Sequence, residues 1–171
     1  MPNRAYARAM ARYNLWQNEN LVTAADPIGD AARLADRGAF FGSIARTFSH
    51  ILWGDQIWLS RFAGTEPPEG GIAGSADLYS DWEDFKTLRA GFDRSILDWA
   101  KNVAPDWFEG DLHWFSGAVG REMRQPKSLL VLQLFNHQTH HRGQIHAMLT
   151  AAGAQPGDTD VPFMPDRFAV M

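Results

Sequence analysis

The stretch from Pro126 to Gly153, PKSLLVLQLFNHQTHHRGQIHAMLTAAG, decides the fold. It predicts one long helix, because proline is tolerated in the first helical turn and glycine is favoured just past a helix end. Most of its residues are good helix formers, and Gly143 is its one internal glycine. At 1.5 Å per residue, this helix is roughly 40 Å long, the height of a small domain.

One face of this helix is apolar except for two histidines and a glutamine. At 100° per residue, six side chains fall within roughly 80° of arc: Leu130, Leu134, His137, His141, Gln144 and Met148. His137 and His141 are one turn apart, so both imidazoles can reach one point, as in the HxxxH spacing of many metal sites. The alternative is a pair of core histidines satisfied by hydrogen bonds. His140 and His146 point elsewhere, and we expect them at the surface or at an interface.

The composition indicates a single cytoplasmic domain over residues 1–171. The chain is 45% hydrophobic and 12% aromatic, which is enough for a sizeable core. No apolar run approaches the ~18 residues of a membrane span, and the N-terminal stretch has no apolar segment typical of a signal peptide. The absence of cysteine excludes disulfides, thiolate-ligated metal sites and a protein thiol nucleophile. A net charge of −4 without a Lys/Arg run argues against nucleic-acid binding.

Two helices are predicted in the first part of the chain. Residues 4–25 carry an apolar stripe at helical spacing, and Asp26-Pro27 ends the helix. Residues 30–36 allow one or two turns. Residues 39–63 form the second strong helix, and Gly64 supplies its stop. The Gly/Pro-rich residues that follow, 64–79, predict a loop.

A third long helix and a strand pair are predicted next. Ser80 to Glu83 is a capping-box pattern that opens a helix running to about Val103. Its expected inward side chains are Trp82, Phe85, Leu88, Phe92, Ile96 and Trp99. Residues 112–115 and 121–124 predict two short strands around a glycine-rich turn, with His113 exposed. The proline-rich tail predicts an irregular segment, anchored by Phe163, Met164 and Phe168. The fold class is therefore all-α, a four-helix bundle with a short two-stranded ribbon before the last helix.

His50 is a further candidate ligand, at the edge of the apolar face of the second helix. Gly54 follows one turn later and leaves space beside the His50 ring. A lone histidine on an amphipathic helix is more often only a hydrogen-bonded residue. Asp55 lies about 140° round from His50, so we expect a salt bridge or a helix-packing contact there. Arg61 shares the side of His50, and we expect a surface salt bridge for it; the alternative is a contact with a substrate carboxylate.

Three segments together resemble the DinB/YfiT-like family of metal-dependent enzymes. They are YNLWQNENL in the first helix, GSIARTFSHILWGDQIWL in the second and LLVLQLFNHQTHHRGQIHAML in the last. The family's histidine of helix two corresponds to His50, and its HxxxH pair corresponds to His137 and His141. The resemblance implies that these three side chains bind one divalent metal, with water completing the shell. It also implies a homodimer and no contact with DNA.

The chemistry of the three ligands agrees with this resemblance. Imidazoles and water suit Zn²⁺, Ni²⁺ or Cu²⁺, of which we expect zinc or nickel. An incomplete protein shell is typical of a catalytic site. Relatives in the family include transferases and isomerases in which the metal binds the thiolate of a low-molecular-weight thiol, such as bacillithiol or mycothiol. The resemblance therefore implies a small-molecule thiol and substrate as partners.

Two other functions stay open at this point. One is hydrolysis, because the pKa of metal-bound water can approach about 7. The other is a dimeric metal-binding stress protein without turnover. Gln144, one turn beyond His141, is expected to orient a ligand or the His141 ring. The alternative for Gln144 is a hydrogen bond to the next helix.

Overall fold

The computed structural model describes residues 1–79 and 81–169. Within these residues the protein is mostly helical, with one two-stranded antiparallel ribbon. The helices are α1 (Arg4–Ala25), α2 (Gly29–Leu34), α3 (Ile44–Ala63), α4 (Trp82–Asn102), α5 (Lys127–Ala151) and α6 (Asp166–Ala169). The strands are β1 (Asp111–Ser116) and β2 (Arg121–Pro126). Short 3₁₀ turns span Ile72–Gly74, Pro105–Phe108 and Val161–Phe163.

Side-chain caps and glycines set the ends of the long helices. The Asn3 side chain accepts a backbone N–H of the first turn of α1, and Ser43 does the same for α3. Gly64 ends α3 with φ 68°, a left-handed conformation that glycine adopts without strain. Pro126 caps α5 from just outside the helix, and Gly153 follows its last turn with φ 84°.

The predicted start of α3 at residue 39 is wrong. The helix begins at Ile44, because the Ser43 hydroxyl caps it and Gly42 has φ 80°, which a helix cannot accommodate. Ala39 and Gly42 instead form an isolated bridge in a tight turn. Phe41 is therefore a loop residue rather than part of the helix face.

The structure also corrects the predicted inward face of α4. Its N-cap is Asp81, whose carboxylate accepts the Asp84 amide at 2.8 Å, while the predicted Ser80 lies outside the described residues. Leu88 was expected inward but is 44% exposed. Two charged residues, Arg89 and Asp93, hold inward positions instead. The buried face of α4 therefore includes a polar stripe, which apolar periodicity does not predict.

The four long helices pack against one another in a closed order. Helix α1 packs against α4 and α5, and α3 packs against the same two helices. The ribbon pairs Leu112 with Gln125 and Trp114 with Met123, which confirms the predicted strands. Leu112 and Trp114 pack on the apolar core, while His113 is exposed as expected. The ribbon is therefore held by the helices rather than by its own pairing.

The tail differs in part from its prediction. It contains the short helix α6, which packs against α1, where an irregular segment was expected. Phe168 is buried, as an anchor should be, and Met164 is half-buried. Phe163 is 62% exposed, so its predicted anchoring role is wrong.

The core consists of two apolar clusters separated by a polar layer. One cluster contains Phe62 and Phe135, and the other contains Phe48 and Phe85. In each long helix, charged or amide residues lie between the segments that enter the two clusters. We call them the polar layer, and they are Asn14, Asn18, Asp55, Arg89, Asp93, Gln138 and Arg142, each at most 5% exposed. The histidines of the candidate site lie beside this layer, on α3 and α5.

Candidate metal centre

Three histidines from two helices converge at the contact between α3 and α5. His50, His137 and His141 each offer one ring nitrogen, and these three atoms lie within 4.8 Å of one another. Nε2 of His50 lies 3.0 Å from Nε2 of His137. His50 and His141 are buried, at 4% and 7% exposure, and His137 is half-buried. The HxxxH pair of α5 and the lone histidine of α3 therefore share one point, as their spacing and the resemblance predicted.

Ser75 sets the orientation of the His50 ring. The Ser75 hydroxyl donates to the Ile72 carbonyl at 2.7 Å, so its oxygen is free to accept a hydrogen bond from another donor. It lies 2.7 Å from Nδ1 of His50, which must be the donor. The Nε2 atom of His50 then keeps its lone pair and faces the other two histidines.

Gln144 does the same for His141. Its amide oxygen lies 2.7 Å from Nδ1 of His141, so this nitrogen carries the proton and Nε2 is left as the possible ligand. Gln144 is one turn beyond His141 on the same face of α5. Its side chain thus contacts the ring, and the alternative of a bond to a neighbouring helix is not what the structure shows.

Gly54 permits the close approach of His137 to α3. A Cβ atom at Gly54 would lie 2.8 Å from Cε1 of His137, nearer than carbon atoms approach one another without displacement. Within the described residues, Nδ1 of His137 is buried and has no hydrogen-bond partner. The ring is therefore placed by contact with the α3 backbone, with Nε2 turned towards His50.

The burial of the cluster keeps its imidazoles neutral. Desolvation lowers the pKa of His50 to about 4 and that of His137 to about 3, and the neighbouring histidines add to both shifts. Burial also lowers the pKa of His141. Neutral imidazoles are the form that binds a metal, and the Nε2 atoms of His50 and His141 have their lone pairs turned inward, so the three residues fit a divalent ion.

Two cavities meet at His50. The first, of about 560 Å³, is lined by Phe40, Phe41, His140, His141 and Gln144, among others. The second, of about 590 Å³, is lined by Trp53, Trp58, Arg61, Trp114 and His137, among others, and we call it the tryptophan cavity. Ile72 and Ala73 border both cavities, so the turn at residues 72–74 lies between them. The Phe41 ring stacks on His50, with 4.1 Å between ring centroids.

The remaining sequence candidates lie outside the cluster. Asp55 is fully buried and forms the expected salt bridge, with Arg89 at 2.6 Å. His140 is exposed and borders the first cavity, and His146 is half-buried beside residue 157. Arg61 forms no salt bridge within residues 1–79 and 81–169, so the surface pairing suggested for it is wrong; its guanidinium lies over the Trp58 ring at 4.6 Å.

Sequence reasoning missed Ser75 and Phe41. Both lie in non-repetitive segments, where no periodicity relates a residue to a helix face. Ser75 is buried and contacts His50 across 25 positions of the chain. No local signal marks such a contact, since it depends on how the loop folds back on α3.

The fold and the site together define a class: helical proteins in which histidines of two packed helices converge at a point that could hold a metal ion. A DinB family model matches residues 1–167, and the chain therefore belongs to the DinB family. A comparison with curated proteins finds no match. In the part of the chain that the structure describes, no helix has both the length and the apolar character that crossing a bilayer requires.

Proposed function

We propose that this protein binds one divalent metal ion through His50, His137 and His141, and that it is a metal-dependent transferase or isomerase that uses a low-molecular-weight thiol. The observation that carries the proposal is the convergence of three neutral imidazoles at the meeting point of two cavities. The closed order of contacts among α1, α3, α4 and α5 supports a four-helix bundle around this site.

The donor set supports zinc or nickel as the ion. Three imidazole nitrogens are ligands of intermediate softness, and three protein ligands leave coordination positions open. When bound, the metal supplies a Lewis acid that favours the thiolate form of a thiol. The chain has no cysteine, so the thiol in this proposal comes from a small molecule.

The residues around the histidines suit a two-substrate reaction. Ser75 and Gln144 orient the His50 and His141 rings, because each accepts a hydrogen bond from the Nδ1 atom of its ring. Phe41 and Trp53 cover the His50 ring on its apolar sides and limit the access of water. The two cavities give room for a thiol and for an acceptor on either side of the turn at residues 72–74.

The cavity linings favour thiol transfer over hydrolysis. Hydrolysis commonly uses a carboxylate to take a proton from the attacking water. Among the described residues that line the two cavities, none is an aspartate or glutamate. If the protein binds no thiol, the remaining functions are hydrolysis and metal binding without turnover.

The metal ligands are tested by elemental analysis of untagged protein. Replacing His50, His137 or His141 by Ala should sharply lower the metal content, because two imidazoles hold a divalent ion far less tightly than three. His146→Ala is the matched control and should retain the metal. Full metal occupancy in the His137→Ala protein would contradict the assignment.

The thiol is tested with cobalt-substituted protein. Thiolate ligation adds a charge-transfer band in the near ultraviolet, which imidazole and water ligation lack. We expect this band with glutathione, bacillithiol or mycothiol, and we expect it to disappear in the His141→Ala protein. Wild-type protein that shows no band with any of the three thiols would refute the transferase proposal.

A further inference from the structure

Arg61 lies in the tryptophan cavity, on the same face of α3 as His50. Its side chain is half-buried, and its guanidinium lies 4.6 Å from the Trp58 ring centroid and 5.5 Å from that of Trp114. The cavity that contains these three side chains also reaches His50 and His137. The cation and the histidine cluster thus line the same cavity.

In the part of the chain that the structure describes, the Arg61 guanidinium has no anionic partner. Within the described residues Arg61 forms neither a salt bridge nor a side-chain hydrogen bond, and it is the only charged residue in the described lining of the cavity. Several other arginines are paired with carboxylates, among them Arg46 with Asp77, Arg89 with Asp55 and Arg167 with Glu19. The tryptophan rings offset part of the cost of removing a cation from water, but a carboxylate in the cavity would offset more of it.

The geometry of α3 gives the length of a ligand that would reach from the histidine cluster to Arg61. His50 and Arg61 are eleven residues apart, which places their Cα atoms roughly 16 Å apart along α3 and within about 20° of the same direction. Helical side chains lean towards the N-terminus, and the guanidinium indeed lies over Trp58, one turn earlier. A ligand spanning roughly 10 Å would therefore join the histidine cluster to Arg61.

We propose that Arg61, Trp58 and Trp114 form a subsite for the carboxylate end of a small-molecule substrate whose other end lies at the histidine cluster. The planar guanidinium matches a carboxylate with two parallel hydrogen bonds, and the two indoles contact the apolar part next to it. A volume of about 590 Å³ is sufficient for such a molecule. The subsite rests on the proposed function only in placing a thiol at the far end of the ligand.

Four probes distinguish the carboxylate subsite from the proposed thiol binding: ω-mercaptooctanoate, ω-mercaptooctanol, octanoate and octanol. Their binding to metal-loaded protein is measured by isothermal titration calorimetry. The wild-type protein should bind each acid at least about tenfold more tightly than the matching alcohol, since a hydrogen-bonded carboxylate adds this much. Arg61→Gln should abolish the preference for the acid. Arg61→Lys should retain part of it, because an ammonium keeps the charge but not the planar fork.

Arg94→Gln is the matched control. Arg94 is exposed on α4 and forms no salt bridge within the described residues, so its replacement changes the net charge equally and should leave the preference intact. Metal content and melting temperature show whether each variant is folded. Because Arg61→Lys preserves the charge, it reports on the subsite even if Arg61→Gln does not fold.

Three results would overturn the subsite: equal affinity of the wild-type protein for acid and alcohol, an unchanged preference in Arg61→Gln, or no detectable binding of either acid at millimolar concentration. The proposed thiol chemistry fails in a different way. In that case the thiol compounds bind no more tightly than their counterparts without sulfur, while the preference for octanoate over octanol and its dependence on Arg61 remain.

Discussion

Gly54 is the residue of α3 that lies against the His137 ring. We expect Gly54→Ala to lower metal affinity about tenfold or more, since the added Cβ would lie 2.8 Å from Cε1 of His137 and would displace the ring. The same change should raise the free energy of unfolding by less than the roughly 1 kcal/mol that alanine adds in a helix interior, because displacement of the ring offsets part of this gain. A chelator competition assay and urea unfolding measure the two effects separately.

Gly143→Ala is the control for this prediction. Gly143 lies in α5, and apart from the adjacent backbone of that helix, a Cβ there would meet no atom of the described residues within 4 Å. The variant should show the gain in stability without any loss of metal affinity. A Gly54→Ala protein that binds metal as tightly as wild type would show that the ring position does not depend on the glycine.

The buried histidines make the stability of the metal-free protein depend on pH. The pKa of His137 is about 3 in the folded protein and about 6.5 in an unfolded chain, so the unfolded state binds more protons between these values. We therefore expect stability to fall as pH decreases through this window. Burial raises the pKa of Asp93 to about 6, which acts in the opposite direction over part of the same range.

A comparison of variants separates the two contributions. Urea unfolding of wild type and His137→Gln is measured at neutral pH and at about pH 5. The glutamine variant retains Asp93 but lacks the titrating imidazole, so it should lose less stability on acidification than wild type. Equal losses in the two proteins would contradict a depressed pKa at His137.

At the scale of elements, the loop between α3 and α4 completes the site. Ser75 is in this loop, immediately after the 3₁₀ turn at residues 72–74, and its hydroxyl oxygen accepts a hydrogen bond from Nδ1 of His50. We expect Ser75→Ala to lower metal affinity about 10- to 100-fold, as loss of a partner of a ligating histidine commonly does. The loss of stability should be smaller, about 1 kcal/mol.

Ser60→Ala provides the comparison for the loop variant. Among the described residues, the Ser60 hydroxyl bonds only the Ile57 carbonyl of its own helix, at 3.0 Å, so this change should leave metal affinity unaltered. Equal metal affinities of the Ser75→Ala and wild-type proteins would mean that the loop does not orient His50.

At the scale of the whole molecule, the polar layer joins all four long helices. Arg89 of α4 contacts Asp55 at 2.6 Å and Asp93 at 2.7 Å, and Gln138 of α5 donates to Asp55 at 2.8 Å. Arg142 and Asn14 are also hydrogen-bonded. Asp55 follows Gly54, and Gln138 follows His137. The layer therefore aligns α3 with α5 where the histidines meet.

We expect Arg89→Met to cost about 3–5 kcal/mol of unfolding free energy, because it leaves two buried carboxylates without their cation. Arg94→Met, on the exposed side of the same helix, should change stability by no more than about 0.5 kcal/mol. Urea unfolding measures both. A cost below about 1 kcal/mol for Arg89→Met would show that the layer contributes little to stability.

We also predict that the protein is a homodimer, as its resemblance to the DinB family implies and its seven tryptophans allow. Light scattering at micromolar concentration should give twice the chain mass of 19.2 kDa. A mass equal to that of one chain would contradict the prediction.

The sequence by itself determined the elements that depend on near neighbours. Apolar periodicity predicted the helices now seen as α1 and α5, and alternation around a glycine-rich turn predicted the ribbon. The HxxxH spacing placed His137 and His141 on one face of α5, because residues one turn apart always share a face. Resemblance to the DinB family, rather than periodicity, supplied the link to His50.

Only the tertiary structure decided which faces meet. His50 and His137 lie 87 positions apart, and the Ser75 contact and the position of Arg61 over the Trp58 ring likewise depend on how helices and loops pack. The polar layer was missed because Arg89 and Asp93 interrupt the apolar stripe of α4, and burial of such charges is favourable only beside partners on other helices. Periodicity assigns a residue to a face of its own helix, whereas the partner of that face is set by the packing of the whole chain.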